Sequence, residues 1–122
     1  MKVKNNMSLN INGLKDSIEN LNQEGIVYVD LKISGTQDFI RFGIIEISKP
    51  RIGLELSIER DRPSQISISV FRQYLEGINE DDNIGFMLHE PQFPIQRGSN
   101  ISGFHIESDN LILTSLLLPR TA

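Results

Sequence analysis

Apolar and polar residues alternate with a period of two through most of the chain, and one stretch near the N-terminus carries a clear helical period. Met7, Leu9 and Ile11 alternate with Ser8 and Asn10, a short strand signal. Leu14, Ile18 and Leu21 then fall at i, i+4 and i+7, which places one apolar stripe on a helix over residues 13–23. Asn12 is the expected N-cap, because its side-chain oxygen can accept from an N–H without an intrahelical partner in the first turn. Gly25 is the expected left-handed stop.

From residue 26 the period changes. Val27, Val29, Leu31 and Ile33 share one face, and Tyr28, Asp30 and Lys32 the other, which predicts a half-buried strand. Gly35-Thr36-Gln37-Asp38 reads as a turn and residues 39–48 as the returning strand. Leu54, Leu56 and Ile58 alternate with Glu55, Ser57 and Glu59, a third strand. Ile66, Ile68 and Val70 alternate with Ser67 and Ser69, a fourth. Consecutive strands joined by short turns predict an antiparallel meander.

After Val70 the pattern supports two readings. Val70, Tyr74 and Ile78, with Phe71 and Leu75 beside them, have the spacing of a short helix over residues 71–77, and a continuing strand is the rival. Residues 84–88 read as a short strand. Phe104, Ile106 and residues 110–118 suggest a closing hairpin turned at Ser108-Asp109-Asn110. The expected fold class is therefore α+β: an antiparallel sheet or meander, or a curved half-barrel, with an N-terminal helix and one further short helix.

Composition narrows the picture. The chain has 122 residues, 39% of them apolar, which fits one domain over residues 1–122 with a core of its own. There is no Cys, so disulfides, thiolate nucleophiles, zinc fingers and thiolate-bound clusters are excluded. Lys and Arg number 12 against 16 Asp and Glu, a formal charge of -4. That balance argues against general nucleic-acid binding, which needs a basic footprint. No stretch approaches the roughly 20 consecutive apolar residues that span a bilayer, so no membrane segment is expected. The two lysines at the N-terminus are not followed by the apolar run of a secretory signal, which makes a cytoplasmic location the expectation.

Candidate chemistry is sparse. No Gly-x-Ser-x-Gly elbow, Walker loop or Gly-x-Gly-x-x-Gly fingerprint occurs, and no catalytic residue and no cofactor is assigned. The two histidines, His89 and His105, would meet if their strands paired, and Glu107 would then share a face with His105. Two imidazoles and a carboxylate suit iron or catalytic zinc, so these three are the weak metal candidates. Asn79, Asp81, Asn83, Gly85 and Glu90 fit five positions of a calcium-loop template, but Ile84 stands where the loop needs Gly.

Between Arg72 and Arg97 no Lys or Arg occurs, while Glu76, Glu80, Asp81, Asp82 and Glu90 all do. A long loop is expected from Glu90 to about Ser102, and its proline-stiffened part at residues 91–98 carries Phe93 and Arg97, residue types favoured at interface hot spots. The expected partner-binding residues are therefore those five acids with Phe93 and Arg97. Small size, acidity and the lack of a catalytic motif give a profile that resembles immunity proteins against bacterial toxins and phage-encoded inhibitors of host defence. The profile implies a protein-binding module that blocks a basic site on a toxin or defence enzyme by steric occlusion. The alternative is a small-molecule-binding or metal-dependent enzyme domain that uses His89 and His105, with Arg41 or Tyr28 lining the pocket. A homo-oligomer built through an exposed apolar edge at residues 111–118 is a third reading.

Overall fold

The structure, a computed structural model, describes residues 7–33, 35–88 and 100–117. The elements in chain order are β1 (Met7–Ser8), α1 (Ile11–Glu19), β2 (Val27–Ile33), β3 (Phe39–Ser48), β4 (Leu54–Arg60), α2 (Ile68–Leu75), β5 (Ile84–Leu88), β6 (Gly103–Glu107) and β7 (Asn110–Leu117). The seven strands form one sheet in the order β1-β6-β7-β2-β3-β4-β5. The expected α+β architecture, with an N-terminal helix and one further short helix, is observed.

The sheet is mixed rather than wholly antiparallel. β2–β3, β3–β4, β6–β7 and β1–β6 pair antiparallel, while β7 runs parallel to β2 and β5 parallel to β4. It is not closed, although a single bridge, Gly85 with Asn100, joins β5 to the segment leading into β6.

Both helices bury the same spacing of apolar residues. Ile11, Leu14 and Ile18 from α1 and Ile68, Phe71 and Leu75 from α2 join one core with Val27, Val29, Leu31, Ile44, Leu56, Phe86 and Leu113. Repeats at i, i+3 and i+7 put each set on one stripe facing the sheet.

Four expectations change on contact with the structure. α1 begins two residues earlier, capped by Asn10, whose Oδ1 accepts from Gly13 N–H at 2.9 Å. It ends at Glu19 rather than at residue 23, with Asn20 and not Gly25 closing it through an N–H that donates to the Ile18 carbonyl. The Gln23 amide beyond it donates to the carbonyls of Ile18 (3.2 Å) and Leu21 (2.7 Å). Gly25 answers a close approach instead: a Cβ there would lie 1.9 Å from the Asp109 carbonyl oxygen.

The expected fourth strand is the beginning of α2. Ser67 caps it, accepting from Val70 N–H at 3.2 Å, and Ile68 and Ser69 donate to the carbonyls of Gly25 (2.8 Å) and Gln23 (3.0 Å). These acceptors satisfy N–H groups that a helix start leaves orphaned. With α2 as the crossover, β5 returns parallel to β4. The approach to α2 runs through the fork where β3 parts from β2. There the Ser64 hydroxyl donates to Val27 O (2.5 Å) and accepts from Ile44 N–H (3.2 Å), while Gln65 N–H donates to Ile44 O (3.1 Å).

β7, expected at the edge, is an inner strand between β6 and β2. Leu111 through Ser115 are all buried, and strands covered on both faces read as continuous apolar runs. The exposed apolar edge imagined at residues 111–118 is therefore not an edge over its described length.

Candidate functional site

The face of the sheet away from the helices carries the polar side of each alternation. Its register sets Tyr28 beside Gly43 and Ile112, with His105 beyond Ile112, and sets Asp30 between Arg41 and Thr114. One network grows from that register. Arg41 donates from Nε to Asp30 Oδ1 at 2.7 Å and from Nη2 to Asp30 Oδ2 at 2.9 Å, a two-point fork. The same Nη2 reaches both Glu107 oxygens at 3.3 and 3.4 Å, and His105 Nε2 lies 3.1 Å from Glu107 Oε2. The guanidinium also stands 5.3 Å from the centre of the Tyr28 ring, within cation–π reach.

Burial makes this network more than a surface ion pair. Asp30 is 8% exposed and His105 9%. The hydrogen bond to Asp30 raises the Arg41 pKa above its ordinary value, with burial opposing it and Glu107 adding to it, so the guanidinium stays charged. The alternation in β6 does place His105 and Glu107 together, with Phe104 in the core. The condition for the two histidines to meet is a pairing of their strands. Among the described residues β5, which ends at Leu88, pairs with β4 and reaches the segment before β6 only at the Gly85–Asn100 bridge. His89 itself is outside the described residues. Among the described residues no group of three His, Cys, Asp or Glu side chains is arranged to hold a metal ion.

Sequence reasoning placed Arg41 and Tyr28 at a pocket but missed Asp30 as the partner that orients Arg41. The β2–β3 hairpin carried part of the signal, since residues 30 and 41 fall on the same face, but the turn read at residues 35–38 does not give their register. Counting back from a four-residue turn at 35–38 would pair residue 30 with residue 43. The observed register, Lys32 opposite Phe39, is shifted by two and sets Asp30 opposite Arg41.

The acidic residues divide between two places. Glu76 closes α2 and lines a crevice of about 140 Å³ between the helices with Lys15, Asp16, Glu19 and Arg72. Glu80, Asp81 and Asp82 line a cleft of about 280 Å³ with Asn83, the β1–α1 segment at Leu9, Asn10 and Ile11, and Ile101 and Ser102. Among the described residues that line that cleft, none is basic.

Two of the three acids also have structural partners. Asp82 accepts from Asn79 N–H at 2.8 Å and closes its own turn, and Glu80 accepts from the Asn12 amide at 2.6 Å, tying the turn to α1. The tight turn replaces a calcium loop: Gly85, the seventh position of that template, lies in β5 beside Glu55. Glu90, Phe93 and Arg97 lie outside the described residues.

No helix among the described residues is long and apolar enough to cross a membrane. Compared with protein-family models, with curated proteins and with solved structures, the chain matches none.

Proposed function

We propose that this chain is a protein-binding module that blocks a basic site on its partner by occupying it, in the manner of an inhibitor or immunity protein. The partner chemistry is a cationic cleft such as that of a toxin or defence enzyme, met in the cytoplasm. The observation that supports the reading is the cleft at the start of α1. It gathers Glu80, Asp81 and Asp82 with no basic side chain among the described residues of its lining, on a turn held by the Asn79–Asp82 and Asn12–Glu80 bonds. Fixed carboxylates lose little freedom on binding and steer a cationic surface during encounter. Asp82 and Glu80 add charge while they hold the turn, and Asp81, which makes neither of those bonds, is the principal contact acid, with Glu80 beside it. Glu76, in the other crevice, contributes at longer range.

The test begins with affinity capture from a lysate of the source organism at low and high salt. Against the captured partner, the Glu80→Lys, Asp81→Lys variant is expected to associate about tenfold more slowly at low salt and to lose most of its salt dependence. An unchanged association rate removes the acidic cleft as the contact surface.

A second reading, a small-molecule site on the helix-free face, is favoured by one observation. Tyr28, Arg41 and His105 belong to the single network around Glu107 and Asp30. A stoichiometric small-molecule or metal mass on the purified protein, lost in His105→Ala, would move the reading there.

A further inference from the structure

We infer that the chain pairs with a second copy of itself through the corner where the β3–β4 turn meets the turn at Asn79–Asn83. The two turns are locked side by side. Gly53 has φ 79, and a Cβ on it would lie 2.2 Å from the Asn83 carbonyl oxygen, so only glycine lets the backbones come so close. Leu54 N–H then donates to that same carbonyl at 3.1 Å.

The lock places opposite charges next to one another on one surface. Lys49 and Arg51 are exposed on the first turn, and Glu80 and Asp81 on the second. Among the described residues, none of these four makes an ion pair within the molecule. Next to Arg51 on the first turn is Ile52, 73% exposed, the most exposed large apolar side chain among the described residues. Pro50 stiffens the turn that presents it, which lowers the entropy lost on docking.

A two-fold contact needs a surface that complements itself, so that one residue meets a second and the second meets the first. Adjacent positive and negative turns have that property. An axis passing between them lays Arg51 of each copy against Asp81 and Glu80 of the other. The two Ile52 side chains then meet near the axis, an apolar centre inside a charged rim. A second copy is therefore the occupant that the local charge pattern fits. The inference shares Glu80 and Asp81 with the proposed partner surface but needs no foreign partner, so either can fail alone.

Sedimentation equilibrium of the purified chain over a range of concentrations tests it. The wild-type chain is expected to dimerise reversibly, more weakly at high salt. Arg51→Glu, Asp81→Lys and Ile52→Glu are each expected to raise the dimer dissociation constant by about tenfold or more. All three positions are exposed, and circular dichroism checks that each variant folds. An equimolar mixture of the Arg51→Glu and Asp81→Lys chains is expected to recover association to within about threefold of wild type. In the mixed pair one contact carries both reversed charges and the other both native ones. A wild-type chain that stays monomeric at every concentration overturns the inference. So does a mixture that associates no better than either variant alone. Normal dimerisation with no captured partner would instead retain the inference and discard the inhibitor reading.

Discussion

The two faces of the sheet are built from the same strands but held by different physics. On the helix side, Val27, Val29 and Leu31 of β2 pack with Ile44, Leu56, Phe71 and Leu113. Burial there is non-directional and needs only apolar groups of suitable volume. On the other side, Tyr28 and Asp30 of the same strand join Arg41, Glu107 and His105 through oriented bonds. Each group there depends on a named partner, because a polar group taken from water without one is costly. One face tolerates repacking, and the other tolerates little.

The sharpest way to break the comparison is to cut into each face. Phe71→Ala removes a fully buried ring between α2 and the sheet, and urea unfolding is expected to show a loss of about 3–5 kcal/mol. The polar face should respond smaller and unequally. Arg41→Met leaves a carboxylate whose side chain is 11% exposed without its two-point partner, an expected loss of about 2–3 kcal/mol. Asp30→Asn leaves a guanidinium whose side chain is 40% exposed and can reach water or Glu107, an expected loss of about 1 kcal/mol. Equal losses in the two variants would mean that unequal burial does not govern the pair. The smallest effect belongs to Val70, which points outward from α2. Val70→Ser is expected to change stability by no more than about 0.5 kcal/mol. A loss on the scale of the core would return Val70 to the apolar face of a strand.

Much of the fold was legible because alternation is a local property. The bounds of β3 and β5 follow from the residues alone, and β2 differs by one residue at its start. The misreading at residues 66–70 has a local cause: Ser67-Ile68-Ser69-Val70 alternates like a strand, while Ile68, Phe71 and Leu75 repeat like a helix. The decision fell to partners far along the chain, the carbonyls of Gln23 and Gly25 that receive the first N–H groups of α2. The candidate sites were less legible. The acids were visible as a run, yet the structure parts Glu76 from Glu80, Asp81 and Asp82 because Glu76 caps the end of α2 and the others follow on the next turn. The Asp30–Arg41 pair rests on a register two residues away from the one that a turn at 35–38 gives, so the local pattern did not reveal it.

The sequence by itself determined the α+β class, the helix near the N-terminus, most strand bounds and which face of each strand is apolar. Those features rest on periodicity and turn chemistry, whose physical range is a few residues. Tertiary structure alone decided that β7 enters between β6 and β2, that β5 returns parallel to β4, and that Arg41 meets Asp30 and Glu107. Strand neighbours are chosen by burying the whole apolar face at once. Leu111-Ile112-Leu113 is apolar on both sides of its strand, and an inner position gives both sides cover. That is a global condition, and no local window of residues contains it.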